Sequence, residues 1–83
     1  MNTNRSEVYH AIDTERDYQE SLARHTVKDQ SPMEHLAIIE VIAARMKQDF
    51  YYEAGQPAGD YMRKIAAVAV YCMEQHGAIN RSN

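Results

Sequence analysis

With only three glycines and two prolines in 83 residues, the chain has no glycine-rich loop with which to cradle a phosphate. Its single cysteine, Cys72, excludes an intramolecular disulfide and fits a reducing compartment. Positive charge is in deficit. Nine Lys and Arg against twelve Asp and Glu give a formal charge of −3, which argues against non-specific nucleic-acid binding. No segment carries several basic residues on one helical face, the pattern of a DNA-reading helix. The longest apolar run, Ile65 to Met73, falls far short of the roughly 20 residues of a membrane span. The opening MNTNRSEVYH lacks the apolar core of a secretory leader. Strand-period alternation, internal repeats and low-complexity tracts are missing, as are metalloprotease or kinase strings and any nucleophile with a matched base. The expectation is one small cytoplasmic domain of ordinary globular composition, 45% hydrophobic and 25% charged. At this size a lone hydrophobic core is marginal.

What is present is helical periodicity. A first helix is expected over about 6–25, with Val8, Ile12, Tyr18 and Leu22 as its apolar stripe, interrupted by Glu15, and with Glu20 and Arg24 as a surface pair. A second, over 32–54, opens on Ser31-Pro32-Met33-Glu34: a capping serine, a proline at the first helical position and a glutamate that reaches back to the cap. Leu36, Ile39, Ala43, Met46 and Phe50 then repeat at three-four spacing, a coiled-coil-like seam, with Gly55 as the stop. A third, over 60–76, takes Asp60 as its N-cap and Gly77 as its C-terminal glycine, with Met62, Ile65, Ala69, Cys72 and His76 in the same seam spacing. The short connection Gln56 to Gly59 implies an antiparallel hairpin. The fold class is all-α: a short N-terminal helix plus a long antiparallel helical hairpin.

Ile65 to Met73 is apolar on nearly every side, and a helix of that kind needs cover on more than one face. So short a chain has little else to supply it, so a homo-oligomeric helical bundle is expected.

Three constellations bear on chemistry. Glu40 interrupts the apolar run Leu36 to Ala44 and, in a hairpin turning near Pro57, comes near the level of Glu74. The pair reads either as carboxylates for a divalent cation or general base, or as surface groups and partners in an intersubunit ion pair. Cys72 and His76, four apart, share a helical face, but two ligands make no structural zinc site unless His35 or a second subunit completes it. A buried thiol is the expectation, and no cofactor or metal is called for. Tyr61 beside Arg63 and Lys64, near Phe50, Tyr51 and Tyr52, reads either as a place to stack a base and hold a phosphate or as interface packing.

Glu15-Arg16-Asp17-Tyr18-Gln19, Arg63-Lys64-Ile65-Ala66-Ala67 and Cys72-Met73-Glu74-Gln75-His76-Gly77-Ala78, with Arg81 after them, resemble a group of short proteins encoded by bacteriophages and prophages. The resemblance points to Arg16, Tyr18, Arg63, Lys64, Glu74, His76 and Arg81 as functional positions. A more distant similarity is to all-α nucleotide pyrophosphohydrolases of the MazG type, which hold magnesium on clustered carboxylates. Glu34 and Glu40 are six apart here, and the third helix offers Asp60 and Glu74 at opposite ends, which departs from that family's acidic cluster. The resemblance therefore implies a non-catalytic phage accessory protein that counters host defence. It would either sequester a nucleotide-derived ligand between subunits or block a host protein. Arg63, Lys64, Tyr61, Tyr18, Arg16, Glu74, His76 and Arg81 would line the ligand site. The alternative is a magnesium-dependent hydrolase using Glu40 and Glu74.

Overall fold

The computed structural model describes residues 2–23 and 30–82, the side chain of Ala23 excepted. These form three helices, α1 (Arg5–Ala23), α2 (Pro32–Tyr51) and α3 (Ala58–His76), with no strand among the described residues. No helix among them is long and apolar enough to cross a membrane.

α3 is the middle layer. α1 and α2 both pack on it, and their backbones do not approach one another among the described residues. Ala67, with no exposed surface, lies at the centre of α3, where the small side chain lets neighbouring helices come close. α1 runs along α3 in the same sense, with Val8 and Ile12 near Met62 and Ala66 and Arg16 over Tyr71. The start of α2 meets the end of α3 through His35 and Gln75, and its end meets the start of α3 through Asp49 and Tyr61.

Local chemistry explains the boundaries. Asn4 accepts the Glu7 backbone N–H at 2.9 Å and opens α1. The expected end of that helix at His25, and Arg24 as partner of Glu20, lie outside the described residues. At α2 the capping box forms: Ser31 Oγ accepts the Glu34 N–H at 3.2 Å, and Glu34 Oε1 accepts the Ser31 N–H at 3.0 Å. α2 ends at Tyr51 rather than at residue 54. Glu53, at φ 54°, takes the left-handed position. Its N–H returns to Phe50 O and that of Ala54 to Asp49 O, a Schellman closure. α3 begins at Ala58 rather than at Asp60. Its N-cap is Pro57, which has no side-chain cap bond, and Asp60 sits inside the first turn, engaged with Arg63 and Lys64.

The inward faces follow the expected seams only in part. α2 turns the seam residues Ile39, Ala43 and Met46 inward together with His35, Ile42 and Asp49, and the seam residues Leu36 and Phe50 are exposed. α1 turns Ala11, Ile12, Glu15, Arg16 and Gln19 inward and leaves Val8, Tyr18 and Leu22 in solvent. Among the described residues only Tyr61, Ala67 and Val68 are buried apolar side chains. The chain exposes 6937 Å², against about 5,000 Å² for a compact monomer of this mass. Its radius of gyration of 14.1 Å likewise exceeds the roughly 12 Å of a compact domain of this length.

Candidate functional site

Two polar girdles clamp α1 to α3. Arg16 is 8% exposed, and its Nε donates to Glu74 Oε1 at 2.6 Å while its Nη2 lies 2.9 Å from Glu20 Oε2. Its guanidinium covers the face of Tyr71, 4.1 Å from the ring centre. Burial alone would lower the Arg16 pKa, but the bonds to Glu74 and Glu20 outweigh it and hold the cation more firmly than usual. Toward the start of α3, Arg63 donates from Nε to Glu15 at 2.8 Å and from Nη2 to Asp60 at 2.5 Å. The bond to Glu15, then that to Asp60, raises the Arg63 pKa against a smaller cost of burial. The bond from Arg63 also keeps the Asp60 carboxyl below its ordinary value, with Lys64 adding to it at 3.3 Å.

The junction of α2 and α3 is fastened by Tyr61. Its hydroxyl donates to Asp49 Oδ2 at 2.7 Å and accepts the Gln56 N–H at 3.0 Å. The Asp49 bond raises the Tyr61 pKa, and the same bond lowers that of Asp49. Gly55, at φ 109°, packs beneath this hydroxyl, where a Cβ would overlap Tyr61 and Asp49.

At the opposite end of α3 lies a cluster of metal-ligating groups. One ligand atom from each of His35, Cys72 and His76 lies within 4.8 Å of the others. His35 Nε2 is 2.9 Å from Gln75 Oε1, which also accepts the Gln30 N–H at 3.2 Å. His76 Nε2 is 2.5 Å from the backbone oxygen of Gln30. The His35 ring meets those of Tyr71 and His76 edge-on, and its Nδ1 is buried without a partner. The sequence signal for Cys72 and His76 was their spacing. His35 joins them across the fold from the first turn of α2.

The expected ligand residues therefore divide. Arg16, Glu74 and the Tyr71 ring form one contiguous group, and His76 lies nearby through His35. Tyr61, Arg63 and Lys64 sit at the far end, where Arg63 is paired with Glu15 and Asp60 and Lys64 with Asp60. A hollow of about 480 Å³ beside Tyr61 and Lys64 is also lined by Asp49 and Asp60, which leaves it no surplus positive charge for a phosphate. Tyr18 is exposed on α1, and Arg81, in the exposed segment after α3, takes no ion pair among the described residues. Glu40 is exposed on α2, and Glu74 is engaged by Arg16. Between α1 and α2, a cleft of about 250 Å³ runs from Arg16 and Tyr71 to His35 and Ile38, smaller than the usual small-molecule pocket.

No protein-family model, curated protein or solved structure matches this chain.

Proposed function

We propose that this chain is a non-catalytic helical interaction protein that works as a homo-oligomer, in the manner of a phage accessory protein that blocks a host protein. The observation that carries this reading is the outer face of α2. Of that helix's twenty residues only His35 is buried. Met33, Ala37, Val41 and Ala44 form an apolar stripe at helical spacing on the side away from α3, with Met33 71% and Val41 69% exposed. The alanines in that stripe leave room for a second helix to approach closely.

A second copy of the chain is the natural occupant. The excess of roughly 1,900 Å² over a compact monomer is of the size that one protomer buries in an obligate dimer. With α2 and α3 as an antiparallel hairpin, α2 is free to pair with α2 of a second copy in antiparallel fashion about Ala43 and Ala44. That pairing sets Glu40 of one copy opposite Lys47 of the other, which gives the carboxylate in the middle of the stripe a partner. The nucleotide-sequestering route has weaker support, because Arg63 and Lys64 are already neutralised by Glu15 and Asp60.

Native mass spectrometry on protein freshly purified from cells tests the reading. A defined oligomer without a nucleotide passenger, and in host extract with one stoichiometric protein partner, is the expected result. A monomer overturns the assembly, and a nucleotide released on denaturation overturns the protein-blocking role.

A further inference from the structure

We propose that His35, Cys72 and His76 form a transition-metal site for a zinc-type divalent cation, held within a single chain. Hydrogen bonds around the two imidazoles select the tautomer of each ring. Gln75 Oε1 accepts the backbone N–H of Gln30 at 3.2 Å, which fixes that end of the amide as the oxygen. An oxygen acceptor 2.9 Å away obliges His35 Nε2 to carry the hydrogen. The backbone carbonyl of Gln30 imposes the same assignment on His76 Nε2 at 2.5 Å. The tautomer with hydrogen on Nε2 leaves the lone pair of each ring on Nδ1.

For His35 that lone pair is the decisive feature. The residue is 1% exposed, and its Nδ1 is buried with no hydrogen-bond partner, a condition that folded proteins avoid. A thiol and a second imidazole stand beside the ring: one ligand atom from each of His35, Cys72 and His76 lies within 4.8 Å of the others. A tetrahedral zinc ion with Zn–N near 2.1 Å and Zn–S near 2.3 Å sets its donors roughly 3.3–3.6 Å apart, so binding draws the three side chains together by small rotations.

The surroundings suit a cation. Each imidazole donates its far N–H to an oxygen, one from a side-chain amide and one from a backbone carbonyl, which is the outer support that metal-binding histidines ordinarily have. The cluster also lies in the last turns of α3, where the free carbonyl ends favour positive charge. Thiolate with two imidazoles selects a zinc-type ion over magnesium or calcium, which take oxygen donors. Three protein donors leave a fourth position for water or an incoming ligand.

Titration of the reduced full chain with Co²⁺, followed by displacement with Zn²⁺, tests the site. The expected result is one ion per chain with a thiolate-to-cobalt charge-transfer band. That band is lost in Cys72→Ser. Affinity should fall more than about 100-fold in Cys72→Ser and in His76→Ala, since even loss of an outer partner costs about 10–100-fold. His76 is exposed, so its variant tests the site without emptying the core, and circular dichroism checks that both variants stay helical. Absence of the charge-transfer band in the wild type overturns the proposal. So does unchanged affinity in both variants, or a stoichiometry below one ion per chain. Repeating the titration on Val41→Glu keeps this result separate from that of the oligomer.

Discussion

Arg16 lies flat over Tyr71, 4.1 Å from its ring centre, while the same guanidinium bonds Glu74 at 2.6 Å, so one side chain of α1 grips two residues of α3 a turn apart. This contact adds to the short apolar contact of Ala11 and Ile12, because Tyr18 and Leu22 of the α1 stripe stay in solvent. Arg16→Ala is therefore expected to destabilise the chain by about 1–3 kcal/mol, with the half-exposed Glu74 keeping the cost below that of a fully buried pair. Arg16→Lys keeps the charge but loses the planar fork, and should fall between the two. Urea unfolding followed by circular dichroism measures both, and equal stability of Arg16→Ala and wild type would remove this clamp from the account.

The Asp49–Tyr61 bond makes a prediction about acid. Tyr61 donates to Asp49 and holds its carboxyl pKa below the ordinary 3.8, with Arg45 assisting against burial. A carboxyl whose folded pKa is depressed contributes stability that is complete above the unfolded value and lost as pH falls through the folded one. Stability should therefore drop as pH falls from about 4 toward 2. In Tyr61→Phe that part of the drop should shrink, on top of a lower stability at neutral pH. Melting curves across this range give the answer. An unchanged acid slope in Tyr61→Phe would count against the bond.

Glu53 holds a left-handed backbone conformation, φ 54°, at a position where glycine is the usual choice. Glu53→Gly should stabilise the chain by about 1 kcal/mol, since it relieves the crowding of a Cβ there. Gly55→Ala should act in the opposite direction, because φ 109° and the Tyr61 hydroxyl both refuse a Cβ. Thermal melts of the two variants should move apart, and a shift in the same direction would argue against this closure.

The start of α2 and the all-helical class were legible in the chain because they rest on local chemistry. Ser31, Pro32 and Glu34 state a helix start in four residues, and Gly77 states an end. The facing of each helix was less legible. Leu36 and Phe50 fit an apolar seam by spacing, yet α2 rotates so that His35 and Asp49 meet α3, where each finds a hydrogen-bond partner. A polar residue satisfied across the fold looks like a surface residue until its partner is known. Glu15 was obscure for the same reason: it seemed to interrupt the stripe of α1, and with Arg16 it is part of that helix's contact with α3. Asp60 resembled a cap because its type favours caps, but Arg63 and Lys64 claim both of its oxygens. All three residues of the cluster at the end of α3 were named by the sequence, Cys72 and His76 by their spacing and His35 as one of two ways to complete them, and the fold decides that His35 reaches them.

The proposed pairing of α2 with its copy predicts a charge reversal. Glu40→Lys should weaken association several-fold, as expected for two symmetry-related ion pairs near solvent. The double variant Glu40→Lys with Lys47→Glu should restore it. Dilution experiments by analytical ultracentrifugation measure both, and a double variant no better than Glu40→Lys alone would place the two residues apart.

The central claim is that the outer face of α2 is covered by another copy of the chain, and sedimentation equilibrium of wild type beside Val41→Glu tests it most directly. The account predicts a wild type at a multiple of the 9.5 kDa chain mass, and a helical Val41→Glu variant shifted to monomer by a charge placed where the stripe is apolar. A wild type that sediments at 9.5 kDa, or a Val41→Glu variant that associates as strongly as wild type, would contradict it.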